Sequence, residues 1–148
     1  MQLLIRFVPP VSTVIEGIIG DIVAAKRYAI TKTTGLLTGS IQENEPVDTG
    51  NMVNRTTYEV IDEDNAVIKI TAPYAKWVND GTGIYGPYKT PIVPTTAQAL
   101  RFIIGGQTFI RRSVKGMQGR HFVEKGIAKR NLQADYANAV TEYLARKG

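Results

Sequence analysis

Asp48-Thr49-Gly50 is the triplet in this chain with the makings of acid–base chemistry, and Ile103-Ile104-Gly105 lies downstream as its counterpart. Such chemistry needs two carboxylates held side by side, so that they share one proton and activate water. A chain with a single triplet must take the second carboxylate from a symmetric partner. The flanking residues argue against that use. The triplet should end a buried apolar strand, yet Glu43-Asn44-Glu45-Pro46 precedes it. A helix should follow the second signature, yet Gly105-Gly106 turns the chain into another strand-like run.

The two signatures resemble those of retroviral-type aspartic proteases, and this alternative makes the chain a homodimeric enzyme acting through Asp48-Thr49-Gly50. The residues themselves describe a rigid corner. Pro46 fixes φ, Asp48 can accept hydrogen bonds from following amides, and Gly50 lets the chain reverse. Such a corner serves either as an internal turn or as a contact with a neighbouring subunit. Other chemistry has less support. His121 is the only histidine, has no ligand partner at helical spacing, and reads as the edge of a helix. Gly81-x-Gly83-x-x-Gly86 matches a dinucleotide fingerprint by letter count, but Pro87 stands where a helix should begin. With no cysteine there is no disulfide framework and no thiolate chemistry, and no cofactor is expected.

Charge is unevenly spread. The net charge is +5 over 148 residues. Glu43, Glu45, Asp48, Glu59, Asp62, Glu63 and Asp64 face only Arg55 within 43–64. Arg111, Arg112, Lys115, Arg120, Lys125, Lys129 and Arg130 face only Glu124 within 111–130. Segregation of this kind suits a polyanion or a complementary neighbouring subunit, and equally two solvated surfaces. Lys and Arg neutralise phosphates without reading sequence, and Tyr85 and Tyr88 in a glycine-rich loop offer stacking surfaces for bases. A basic DNA-binding protein is therefore the main alternative reading. No run approaches the roughly 20 apolar residues of a membrane span. The opening Met1–Val8 lacks a basic leader, so synthesis in the cytoplasm is expected.

These residues need a frame. Met1–Val8 reads as a strand stopped by Pro9-Pro10. Thr13 and Glu16 form a capping box for a helix whose stripe is Ile15, Ile18, Ile19, Ile22, Val23, Ala29 and Ile30, ending near Gly35. Ser40–Pro46 reads as a polar loop, and 49–54 as one helical turn. Thr56–Ile61 and Ala66–Ala72 flank Asp62-Glu63-Asp64-Asn65 as a hairpin. Tyr74–Asn79 reads as a short helical turn carrying Trp77, a core or interface anchor. Residues 81–94 are a long shaped loop. Leu100–Ile104 and Gln107–Arg111 form a second hairpin about Gly105-Gly106, and Ser113–Gly119 reads as a flexible linker. From His121 a single helix is expected, its stripe being Phe122, Val123, Ile127, Leu132, Tyr136, Val140, Tyr143 and Leu144. Hairpins between two terminal helices predict an α+β fold, a small antiparallel sheet packed by a long N-terminal and a long C-terminal helix, in one domain over 1–148.

Four blocks in this order resemble a bacteriophage family, the tail-component or neck (head–tail joining, tail-completion) proteins of long-tailed phages. They are the N-terminal strand and helix, then Pro46-Val47-Asp48-Thr49-Gly50-Asn51-Met52, then Tyr74-Ala75-Lys76-Trp77-Val78 running into Gly81-Thr82-Gly83, and last Gly119-Arg120-His121-Phe122-Val123 opening the final helix. The likeness spans nearly the whole chain. Met52 stands where the family usually has Leu, Asn79-Asp80 where an acidic–aromatic pair is common, and His121 where Pro is expected. The resemblance implies a non-enzymatic virion protein of the neck or tail. It implies a ring, six-fold by expectation, docked between a head connector or stopper protein and a tail terminator or tube protein, with genomic DNA passing non-specifically and no membrane. On that reading Asp48, Glu63, Asp64, Trp77, Tyr85, Tyr88, Arg111 and Arg112 belong to subunit or partner interfaces, and Lys115, Arg120 and Lys125 to a DNA channel.

Overall fold

The acidic turn expected between the first two hairpin arms is built by its own side chains. Asp62 accepts hydrogen bonds at 2.8 Å from the backbone amides of Asp64 and Asn65 and from the Asn65 side chain. These bonds, with the Asp64 amide first, hold the Asp62 carboxyl below the usual carboxylate range. The turn joins β2 (Thr56–Val60) to β3 (Asn65–Ile70), and β1 (Gln2–Arg6) pairs with the other edge of β3. Both pairings are antiparallel, giving the order β1-β3-β2. The computed structural model describes residues 1–6, 19–46 and 50–148. Pro9-Pro10, the Thr13–Glu16 capping box and Asp48 lie outside the described residues.

The fold is α+β, with α1 (Ile19–Asn44), α2 (Ala75–Asp80), α3 (Phe122–Ala128) and α4 (Leu132–Lys147) and a second, two-stranded sheet of β4 (Leu100–Ile104) and β5 (Gln107–Arg111). The chain groups into two compact units: Met1–Ala72 with Phe122–Gly148, and Pro73–His121.

In the first unit α1 packs against α3, α4, β2 and β3. It runs past Gly35 to Asn44, so Ser40 to Asn44 is helix rather than loop. The expected end near Gly35 followed from the Thr- and Gly-rich run over 31–40. Thr33, Thr34, Leu37, Thr38 and Ile41 continue the buried stripe of Ala25, Ala29 and Ile30 at three-and-four spacing. Helix continuation is secured by side-chain bonds: Thr38 Oγ1 donates to the Thr34 carbonyl at 2.8 Å and Ser40 Oγ to the Gly126 carbonyl at 2.9 Å. Burial thus outweighs the poor helix propensity of Thr and Gly. Val23, expected in the stripe, is exposed.

The C-terminal helix is two helices. Asn131 caps α4 by accepting from the Ala134 amide at 3.1 Å, and Arg130 grips Asp135 with two bonds of 2.7 and 2.9 Å. An N-cap and a bidentate ion pair make a restart at Asn131 cheaper than continuing from Ala128. Phe122, Val123 and Ala139 are buried as α3 and α4 cover α1, whereas Leu144 is exposed. Glu142 clasps α4 to α1 by accepting from Tyr28 and Lys32. The Lys32 bond, then the Tyr28 bond, lowers its carboxyl below the usual range. That clasp is therefore present at neutral pH and lost as the carboxylate is protonated in acid.

Glu45, just past α1, is buried, accepts a hydrogen bond from the Thr56 hydroxyl, and leaves its second oxygen without a bond. Burial pushes this carboxyl up, against the opposing Thr56 bond. A raised folded-state pKa contributes stability below the unfolded value and loses it as pH rises through the folded one. Glu45→Gln keeps the Thr56 bond without the charge, so its melting temperature at pH 7 should exceed the parent's, with the gain vanishing near pH 4. Thermal melts at the two pH values check this. An equal gain at both would mean that charge burial is not the cause.

Candidate functional site

The Pro73–His121 unit is closed at its base by main-chain hydrogen bonds. Arg120 and His121 amides donate to the carbonyls of Val78 and Asn79 at 2.8 and 3.0 Å, and Thr82 and Ile84 amides donate to Met117 and Lys115 at 2.8 Å. Ile92 and Val114 exchange both bonds. Two glycines make this crossing feasible: a Cβ on Gly83 would lie 2.0 Å from the Lys115 carbonyl oxygen, and one on Gly116 2.1 Å from that of Thr82. Ser113–Gly119, expected as a flexible linker, is thus one side of a paired stem. The loop beginning at Gly81 is tethered up to Ile84 and again at Ile92, and Pro87–Pro91 between these tethers is exposed throughout.

Above this stem, β4 and β5 form the predicted hairpin, with Gly105 and Gly106 at positive φ in its turn. On one face Phe102 stacks on Phe109 at 5.8 Å between centroids, and Arg111 lies 6.0 Å from the Phe109 ring. Ile103, Ile104 and Ile110 are 65%, 63% and 62% exposed. Because neighbours along a strand point to opposite faces, Ile103 and Ile104 leave both faces of the hairpin apolar and wet. A lone two-stranded hairpin is marginal in water, and exposed apolar edges invite another chain.

The same unit holds Lys76, Lys89, Arg101, Arg111, Arg112, Lys115 and Arg120 against Asp80 alone. It therefore carries all the excess positive charge of the chain. Trp77 is exposed on α2, against the core-anchor reading. Tyr85 closes a 3-10 turn over Gly83–Tyr85 and is exposed, and Tyr88 is 88% exposed.

Of the residues singled out by sequence, Trp77, Tyr85, Tyr88, Arg111, Arg112, Lys115 and Arg120 fall in this unit. Glu63, Asp64 and Lys125 fall in the other, so the basic 111–130 run divides between the two. The acidic 43–64 run is not a free face either. Asp64 pairs with Lys26 at 2.7 Å, Glu59 pairs with Lys69, Glu45 is buried and Asp62 is spent on its turn. Sequence reasoning did not read Ile103, Ile104 and Ile110 as an exposed surface. Their signal was legible: Ile-Ile beside Gly-Gly breaks the polar–apolar alternation of a strand with one solvated face. The protease counterpart Ile103-Ile104-Gly105 lies at this exposed hairpin tip rather than in a buried strand leading to a helix.

The first unit carries a groove of about 900 Å³ along α1, lined by Tyr28, Lys32, Gly35, Leu36, Gly39, Glu43, Tyr58 and Lys129 among others. Its floor is low because Gly35 and Gly39 are one turn apart, a spacing that sequence reasoning treated only as a helix end. Among the described residues no helix is long and apolar enough to cross a membrane.

Limited trypsin digestion tests the stem. Lys89 lies on the exposed stretch, whereas the Lys115 carbonyl is bonded to the Ile84 amide. Cleavage after Lys89 should come well before cleavage after Lys115, and assembly should protect Lys89. Cutting first at Lys115 would mean that the stem opens.

No protein-family model, curated protein or solved structure matches this chain.

Proposed function

We propose that this chain is a structural ring subunit of the neck of a long-tailed bacteriophage, joining the head connector to the tail and leaving a channel for DNA. It is a virion protein, not an enzyme. The observation that carries the reading is the β4–β5 hairpin, apolar on both faces, rimmed by arginines and, among the described residues, joined to no third strand. A surface of that kind is a liability in a monomer and an interface in an assembly. The ordered sequence blocks that resemble the neck family supply the kind of assembly. Heterologous contacts that close make rings, and a hexamer is the expected one.

Sedimentation of the purified protein across a concentration series, with negative-stain imaging of the heaviest species, tests the reading. Closed rings with a central channel support it. A monomer at every concentration, with no retention on purified tails or heads, overturns it. Incubation with unfolded polypeptide at acid pH should show no cleavage, and cleavage abolished by Asp48→Asn would revive the protease reading.

A second reading, a basic DNA-binding protein, is favoured by one observation: the cations of Pro73–His121 face a single acid, with Tyr85 and Tyr88 exposed among them. In a ring the same cations would serve the passing duplex through phosphate contacts.

A further inference from the structure

We propose that the outer edge of β2 and the groove beside it receive strand β4 of a second copy of this chain, so that a five-stranded sheet crosses the subunit boundary. The inference rests on the ring reading above and names the surfaces that meet.

Among the described residues both edges are open: β2 is paired with β3 alone, and β4 with β5 alone. β5 is likewise paired with β4 alone, but β4 is the strand that carries the two adjacent exposed isoleucines, Ile103 and Ile104. At the start of β2 the outward Thr56 carbonyl is taken by Gln42 at 3.1 Å, so the outward carbonyls left on offer at this edge are those of Tyr58 and Val60. The strands match in length, five residues each. Main-chain bonds along such an edge supply affinity, and side-chain pockets beside it supply specificity.

The groove is such a pocket. Tyr58, in the middle of β2, forms one wall, with its ring over Gly35, and Leu36 is half-exposed on α1. A Cβ built on Gly39 meets nothing within 4 Å, so this part of the floor is open. Ile103 and Ile104 point to opposite faces of β4, so an added β4 presents one isoleucine to the groove in either orientation. Charge selects a second copy of this chain. Arg101 and Arg111 stand at one end of the hairpin ladder, where they pair across from Ile110 and Leu100. Glu43, on the groove, and Glu63, in the turn after β2, have no ion-pair partner among the described residues. Lys129 also lines the groove, while Lys32 and Arg130 are engaged by Glu142 and Asp135.

The chain has no cysteine, so disulfide trapping starts from a clean background. Chains bearing Thr57→Cys or Glu59→Cys are mixed with chains bearing Ile103→Cys or Ile104→Cys under mild oxidation. These four combinations cover both orientations of the strand. At least one should give a disulfide-linked dimer of unlike chains. Gly39→Trp in the β2-bearing chain should suppress it and weaken self-association at least about tenfold, with an unchanged circular dichroism spectrum. Leu144→Trp, on exposed α4, should do neither. Assembly without a cross-link in any combination, or assembly indifferent to Gly39→Trp, overturns this contact and leaves the ring reading standing. Absence of both assembly and cross-links removes both. A disulfide that forms only within single chains carrying both cysteines also overturns the inference, since the hairpin would then dock on its own chain.

Discussion

Gly126→Val is expected to lower the melting temperature by about 10 °C or to prevent folding of the helical unit. Gly126 is buried on α3 where α3 crosses α1. A Cβ there would lie 2.7 Å from both Cα and Cγ1 of Ile41 and 2.9 Å from the Ile41 nitrogen. Two of these atoms are backbone, so no rotamer change relieves the clash and the helices must separate. Separation would also stretch the 2.9 Å bond from Ser40 Oγ to the Gly126 carbonyl. Overpacking of this sort costs about 3 kcal/mol, a large share of a domain's total stability. At this chain length each kcal/mol moves the melting point by about 2–4 °C. The matched control has the opposite sign. Gly39→Ala sits within α1 with open space around it, and should gain about 0.5–1 kcal/mol from helix propensity. Thermal melts of the two variants decide the matter. A Gly126→Val protein that melts with the parent would mean that α3 does not pack on α1 this closely.

Reversing Arg111 and Arg112 together to Glu should separate the two functional readings. If these guanidinium groups contact phosphates, the slope of log affinity against log salt on duplex DNA should fall by about two. If they meet acidic groups of a neighbouring subunit, assembly should weaken, and charge reversal on the partner surface should restore part of it. The acids to reverse are Glu43 and Glu63. Asp64, which sequence alone offers as Glu63's companion, already pairs with Lys26 at 2.7 Å, and Asp64→Lys would break the fold's own contact. Sedimentation and salt-dependent DNA retention of the same variants give both readouts. Recovery of assembly in the fourfold variant supports the subunit contact. Assembly indifferent to every reversal, with DNA retention following charge, assigns Arg111 and Arg112 to the channel.

The hairpins were legible because their signals are local. Alternation, β-branched residues and the Asp62–Asn65 and Gly105-Gly106 turns lie within a dozen residues of one another. Helix ends were less so. The extension of α1 depends on Thr33, Thr34 and Thr38 being covered by elements far along the chain, and the break at Lys129–Asn131 depends on an Arg130–Asp135 pair that periodicity ignores. Site residues divide in the same way. Exposed Tyr85, Tyr88 and Trp77 were found by their type, but the charge blocks were drawn as runs of sequence. Space divides the basic run between two units and spends most of the acidic run on internal bonds. The three isoleucines were not read as a surface because apolar strand residues are ordinarily assigned to a core; the Ile103-Ile104 pair beside Gly105-Gly106 was the sign passed over.

The stem under the hairpin carries a consequence for how such a protein can change over time. Its closure is made of amides, carbonyls and glycines between Val78–Ile84 and Lys115–His121, with the Thr82 hydroxyl accepting from the Met117 amide. Backbone groups are supplied by every residue, so mutations from Tyr88 to Arg112 leave the closure intact. The segment between is then an exchangeable cassette. Lineages meeting new partners can rewrite its isoleucines and arginines, lengthen its tip at Gly105-Gly106, or replace it whole, while Gly83 and Gly116 stay fixed by geometry. Grafting a foreign hairpin between Pro94 and Ser113 should accordingly yield a folded protein with altered partners.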